Sequence, residues 1–159
     1  METQTTTMNH KNPAKGQDAT ELLTADHKLV SGLFSEFEKT KSNAEKKRLV
    51  SKICKELTVH AQIEEEIFYP AVKIALKDKE LVPEARVEHQ SLKSLIEQVK
   101  GVEPDGEMFD AKIMVMHEYV KHHVKEEQDK MFPKAKATSL NMVELGSKLS
   151  ERKAALLAE

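Results

Sequence analysis

The chain of 159 residues contains few of the residues that interrupt helices or cross-link a fold. It has five glycines, five prolines, one cysteine and no tryptophan, and aromatic residues make up 4%. The scarcity of glycine and proline favours helices over a β-sandwich. Because Cys54 is the single cysteine, the chain cannot form an internal disulfide, and a reducing, cytoplasmic setting is expected.

The chain also lacks an excess of charge of one sign. Its net charge is -2, and the 25 basic and 27 acidic residues are interspersed. This distribution provides no basic field for nucleic acid or an anionic membrane, so neither is expected as a partner. The N-terminal residues contain no apolar run of the kind found in a signal peptide or a membrane span.

The length predicts one domain, and the patterning predicts an all-α fold. We expect a flexible tail at 1–17, an up-down-up-down four-helix bundle at 18–136, and an amphipathic C-terminal helix at 137–159 packed on the bundle. Capping patterns and turn residues predict helices at about 19–41, 44–77, 80–100, and from the turn at 101–106 to about 132, where Pro133 ends or bends the fourth helix. Ser139 is the expected cap of the fifth helix.

Each predicted bundle helix has one histidine on the seam that faces its neighbours. These histidines are His27, His60, His89 and His123. The second and fourth seams add a glutamate four residues after the histidine and a proline ten residues after it, giving His60, Glu64, Pro70 and His123, Glu127, Pro133. The second seam is expected to continue on the same face through Ile67, Ala71 and Ile74.

Six ionisable side chains on seam positions predict a metal site. An unpaired charge costs several kcal/mol to bury, so the set needs a partner in the core. Residues at i and i+4 share a helix face, which lets each histidine–glutamate pair present a nitrogen and a carboxylate to one point. Imidazole and carboxylate together suit iron, zinc or manganese, and two carboxylates from different helices can bridge two ions.

Other polar residues give competing interpretations. His122 and Glu126 have the same i,i+4 spacing, but His123 is preferred because it stays in register with Val120 and Met116. The side chains expected on solvated faces are His117, His122, Glu65, Glu66 and Glu126. The loop lengths place His27 and His60 at similar depth, whereas His89 and His123 agree only if the third connection extends past Glu107.

The two H-x-x-x-E motifs, the aromatic-proline pairs that come after them, and the "DH" and "EH" pairs on the first and third helices resemble the hemerythrin-like HHE cation-binding domain over roughly residues 20–135. The resemblance implies two non-haem Fe ions with an oxo or hydroxo bridge. It implies terminal ligands His27, His60, His89 and His123 and bridging ligands Glu64 and Glu127. Oxygen carriers of this family have a further histidine where this chain has Lys93, so reversible oxygen carriage is not the first expectation.

The family resemblance leaves three classes of function. The preferred one is a catalase- or peroxidase-like reaction with peroxide in iron or oxidative-stress handling, for which Lys93 at a pocket mouth could steer an anionic substrate. The second is a module that binds dioxygen, nitric oxide or iron as a sensor, buffer or store. The third is a metal-free helical interaction domain. In each case a monomer or weak oligomer is expected.

Overall fold

The computed structural model describes residues 17–159 and consists of helices joined by short connections. The α-helices are α1 (Ala19–Lys39), α2 (Asn43–Ile63), α3 (Tyr69–Leu76), α4 (Leu81–Val99), α5 (Glu107–Glu126), α6 (Phe132–Lys136) and α7 (Met142–Ala158). Glu64–Phe68 and Glu127–Met131 are π-helical and join α2 to α3 and α5 to α6, so the bundle has four long helices. The predicted all-α bundle with an additional C-terminal helix is confirmed; residues 1–16 of the predicted tail lie outside the described residues.

The helix boundaries follow from local chemistry. The Asp18 side chain accepts from the Glu21 backbone N–H, and the Glu21 side chain accepts from the Asp18 N–H, which makes the predicted capping box. Ser42 caps α2 by accepting from Glu45. The prediction that Ser139 caps the fifth helix is wrong: Asn141 accepts from the Glu144 N–H at 3.0 Å, because the chain is still in a turn around Thr138.

Each π-helical segment changes which face of its helix is buried. The first shifts the pattern after Glu64, so that Phe68, Tyr69 and Val72 are fully buried. Ile74, predicted on the seam, is 79% exposed, because the i,i+5 turn rotates the helix after it. The second segment buries Met131 in the same way, near the C-terminal end of the fourth long helix.

Both prolines of the repeated motif lie just after a π-helical turn. The Tyr69 N–H donates to the Glu64 carbonyl before Pro70, and the Phe132 N–H donates to the Glu127 carbonyl before Pro133. A proline in a regular helix lacks a donor and clashes with the carbonyl four residues earlier, whereas a widened turn relieves that clash. The fourth long helix, which begins with α5, therefore continues through Pro133 to the end of α6 at Lys136.

Two apolar clusters fill the bundle on either side of its middle. One contains Leu23, Ile63, Phe68 and residues of α7, and the other contains Phe34, Ile53, Ile113 and Met116. The buried leucines of α7 pack this helix against α1, α2 and the first π-helical segment. The polar seam residues lie between these clusters, where little water is available to solvate them.

Candidate metal centre

The structure brings the six predicted seam residues together in the middle of the bundle. His27 comes from α1, His60 from α2, His89 from α4 and His123 from α5. Glu64 and Glu127 are the first residues of the two π-helical segments, and both carboxylates are almost completely buried. His122, the competing candidate, has a side chain that is 63% exposed and lies outside the cluster.

The cluster has two groups of potential ligand atoms. His27, His60, Glu64 and Glu127 each offer one atom, and all four atoms lie within 4.8 Å of one another. Glu64, His89 and His123 form a second such group. Glu127 also reaches that group, because its Oε2 lies 3.1 Å from His123 Nε2. Each carboxylate therefore faces both histidine pairs, which is the arrangement that two bridging carboxylates require.

The spacing of these atoms fits the edges of a metal coordination shell. His27 Nε2 lies 3.2 Å from Glu127 Oε1, and His60 Nε2 lies 3.2 Å from Glu64 Oε2. Ligands about 2.1 Å from a shared ion are separated by roughly 3.0–3.4 Å. All four of these buried atoms lack a hydrogen-bond partner, and such atoms are costly to bury unless something else binds them. The donor set therefore fits a pair of metal ions.

Each of the four histidines is held through the ring nitrogen that faces away from the centre. The Nδ1 atoms of His60, His89 and His123 lie 2.6–2.9 Å from the carboxylates of Asp26, Glu65 and Glu88, respectively. His27 Nδ1 lies 2.8 Å from Gln128 Oε1. An Nδ1–H that donates to such an oxygen leaves Nε2 unprotonated and aimed at the centre in the neutral ring, the tautomer that binds metal.

Without metal, the carboxylates and imidazoles shift one another's protonation. Burial opposes charge on His60, but the charge of Glu64 and the hydrogen bond to Asp26 raise the pKa of His60 to about 10. Burial likewise opposes charge on Glu64, yet His60, His123 and His89 hold the pKa of that carboxyl well below its usual range. The metal-free centre is therefore a buried network of ion pairs, and metal must displace protons to bind.

Tyr69 is a member of the centre that the sequence patterns did not reveal. Its hydroxyl donates to Glu127 Oε2 at 2.5 Å, and its oxygen lies 3.0 Å from Glu64 Oε1 and 3.1 Å from His123 Nε2. Burial and the two glutamates raise the pKa of the Tyr69 phenol well above its ordinary value, so it remains protonated here. A signal in the sequence was present, because Tyr69 lies five residues after Glu64, a spacing that places it on the same face once the turn is π-helical.

Several polar residues lie in other positions than expected. Glu65 was expected on a solvated face but accepts from His89, and Lys93 pairs with Glu65 at 3.0 Å. His117 stacks on the ring of Phe34 with centroids 4.4 Å apart. The expected mismatch in depth between His89 and His123 is absent: their Nε2 atoms are 3.2 Å apart although α5 begins at Glu107. The extended backbone at Lys100 starts a connection long enough to absorb the offset.

A small cavity of about 30 Å³ adjoins all four histidines. Its remaining walls are mainly aliphatic side chains, among them Val30, Leu57, Leu92 and Val120. This volume has room for one or two water-sized molecules. The cavity would bring a very small molecule next to the candidate ligands while keeping larger molecules out.

A helical bundle with a buried cluster of histidine and glutamate side chains that could hold metal ions defines a cation-binding bundle protein. The model of the family described as Hemerythrin HHE cation binding domain matches residues 18–135. The chain therefore belongs to the hemerythrin HHE cation-binding domain family.

Two known proteins show how far this similarity extends. A hemerythrin HHE cation binding domain-containing protein from Mycobacterium kansasii has the same fold, with a TM-score of 0.74 and 23% identity over 89% of this chain and 88% of the other. A protein of Nostoc sp. named DNA nickase is 29% identical over 112 residues, which is 70% of this chain. The chain spans 32% of the length of that relative. In the part of the chain that the structure describes, every helix is too short or too polar to cross a bilayer.

Proposed function

We propose that this chain holds two non-haem iron ions, joined by an oxo or hydroxo bridge, and decomposes hydrogen peroxide in a catalase-like reaction. The observation that carries the proposal is the pair of ligand groups that share Glu64 and Glu127. In the proposed site His27 and His60 bind one ion, His89 and His123 bind the other, and the two glutamates bridge. When bound, paired iron supplies a redox couple that can oxidise one peroxide and reduce another, giving one dioxygen and two waters from two peroxides.

The residues around the proposed ions orient the histidine ligands and exclude bulk water. The orientation of each histidine ring is fixed by one contact to its Nδ1 atom, made by Asp26, Glu65, Glu88 or Gln128. Tyr69 Oη lies 3.0–3.3 Å from the Glu64, His89 and His123 atoms of the second group, distances that match the edges of a ligand shell. We therefore propose that the phenol oxygen of Tyr69 is a further metal ligand on the His89 and His123 side. This leaves the His27 and His60 side with fewer protein ligands and more room for substrate.

The first experiment measures metal content and turnover. Iron-loaded protein should contain about two irons per chain, absorb in the near ultraviolet when oxidised, and evolve oxygen from hydrogen peroxide faster than the metal-free form. Tyr69→Phe removes the phenol oxygen and keeps the ring, so it should change the visible spectrum of the ferric protein if Tyr69 is a donor. Protein that binds iron but evolves no more oxygen than the metal-free form would contradict peroxide decomposition.

The aliphatic cavity favours a second candidate, the binding of dioxygen or nitric oxide without turnover. Small apolar molecules partition into apolar cavities, whereas peroxide loses hydrogen bonds with water when it enters one. Reversible oxygen uptake by the reduced protein, with no oxygen evolution from peroxide, would favour this alternative over the enzyme. The metal-free interaction domain would be favoured only by a protein that takes up no iron at all.

The proposal also covers the cellular location, the oligomeric state and the ligands of the protein. A cytoplasmic monomer or weak oligomer with a small-molecule ligand fits the single cysteine and the interspersed charges. We propose no nucleic-acid substrate, because the near-balanced charge provides no field to bind one. Sedimentation analysis of the purified chain and a nicking assay on supercoiled plasmid would test these two points.

A further inference from the structure

The C-terminal helix α7 contributes a charged side chain to the surroundings of the candidate metal centre. Lys153, on α7, places its Nζ 2.5 Å from Asp26 Oδ1. The other oxygen of Asp26 lies 2.9 Å from His60 Nδ1. An unbroken row of polar contacts therefore runs from Lys153 through Asp26 to His60.

We propose that Lys153 is a positioning residue that acts through Asp26 to hold His60 in its metal-binding orientation. The inference rests on the proposed function, because it gives a role in metal binding to a residue that lies outside both ligand groups. It also gives α7, a helix without a candidate ligand, a part in forming the centre. Of the two proposed metal positions, Lys153 affects the one bound by His27 and His60.

Asp26 needs a second partner to keep this role. Its side chain is only 6% exposed, and a buried carboxylate with one partner retains a large desolvation cost. His60 uses one oxygen, and Lys153 neutralises the other. With both oxygens held, the carboxylate plane cannot turn, so the His60 Nδ1–H remains directed at Asp26 and Nε2 remains directed at Glu64.

The position of Lys153 on α7 also indicates more than a surface ion pair. Leu149 and Leu156 lie four residues before it and three after it, on the same face, and both are buried. A charged residue therefore occupies a place in the apolar stripe of the helix. Close contact at Gly146, where an added Cβ would lie 2.8 Å from the Gln17 carbonyl oxygen, seats α7 tightly and so locates the Lys153 side chain.

The test is a titration of the metal-free full chain with cobalt(II), monitored by visible absorbance. The unchanged protein should bind two equivalents. Lys153→Met should weaken one of them by about tenfold, the lower end of the range for changes outside the ligand shell, and leave the other unchanged. Lys153→Arg should restore binding, because it keeps the charge. Lys148→Met alters an exposed lysine on the same helix and should bind like the unchanged protein.

A double-mutant cycle shows whether Lys153 acts through Asp26. Asp26→Ala should weaken the same equivalent by about 10–100-fold, and adding Lys153→Met to it should have no further effect. Additive losses would overturn the proposal, as would normal cobalt binding by Lys153→Met. Equal weakening of both equivalents, with a lower melting temperature of the metal-free form, would instead show a general effect of α7 on folding and also overturn it. If the unchanged chain binds no cobalt or iron, the proposed function itself fails.

Discussion

At the scale of single residues, two carboxylates that orient histidines of the centre immediately precede candidate ligands in the sequence. Asp26 precedes His27 but accepts from His60, and Glu88 precedes His89 but accepts from His123. Each such pair therefore provides a candidate ligand to one long helix and an orienting acceptor to the next. Because adjacent residues on a helix point about 100° apart, one side chain faces the centre while its neighbour faces the adjoining helix.

The choice between two neighbouring histidines gives a prediction at this scale. His123→Ala should lose bound metal, because its Nε2 lies among the candidate ligand atoms, and His122→Ala should retain it. Metal analysis of the two variants, prepared in parallel, measures the difference. Equal losses would mean that His122 also binds metal or that the fourth helix has another register.

Protonation of the centre predicts how the stability of the metal-free protein depends on pH. The folded pKa of His60, about 10, is above its ordinary value of 6.5, so its stabilising contribution is complete below pH 6.5 and lost as the pH rises through 10. The pKa values of His89 and His123 are also raised, which adds to the same trend. Glu64 has a lowered pKa, so its contribution is present above pH 4.5 and lost in stronger acid.

Urea unfolding of the chelated protein at pH 5.5, 8 and 10 would measure this dependence, with the lowest free energy of unfolding expected at pH 10. His60→Leu should flatten the curve on the alkaline side, and the exposed His122→Ala should leave its shape unchanged. A free energy of unfolding that rises from pH 8 to 10 would contradict the ion-pair description of the metal-free centre.

At the scale of elements, two helical glycines have opposite surroundings and so predict opposite effects of alanine. Gly146 on α7 packs against the N-terminus of α1, and a Cβ there would meet backbone atoms at 2.8–3.0 Å. A Cβ on Gly32 in α1 would meet no atom within 4 Å. Gly32→Ala should stabilise by up to about 1 kcal/mol through helix propensity, whereas Gly146→Ala should destabilise by about 1–3 kcal/mol because backbone must move.

Thermal melts of the two variants distinguish these effects. One kcal/mol corresponds to about 2–4 °C in a chain of this size, so the melting temperatures should change in opposite directions by measurable amounts. If Gly146→Ala were as stable as the unchanged protein, α7 would not be seated against α1 as closely as described.

At the scale of the whole molecule, a polar centre separates two apolar clusters, so we expect folding and metal binding to be coupled. The unfolded chain does not bring the six residues together, and ions that bind the folded form stabilise it by mass action. Removing metal with a chelator should therefore lower the melting temperature by at least about 5 °C, from roughly 2.7 kcal/mol per site at a hundredfold excess over Kd.

Calorimetry of the protein before and after chelation would measure this difference, with His122→Ala as a variant that should respond in the same way. An unchanged melt after verified metal removal would show that the ions do not stabilise the fold and would contradict the coupling of folding to metal binding.

The sequence alone determined the helical bundle, the boundaries of most helices, and the six residues that converge in its middle. These depend on caps, on turn residues and on periodicity, which are local properties that a linear pattern displays. The division of the chain at 18–136 and 137–159 and the ligand roles of the six residues remain predictions. Only the tertiary structure showed Tyr69 in the centre, Glu65 and Asp26 as partners of histidines, and Lys153 reaching them from α7. The reason is physical: each π-helical turn rotates the helix on its C-terminal side, and contacts between distant helices depend on that rotation and on packing, neither of which a 3.6-residue period contains.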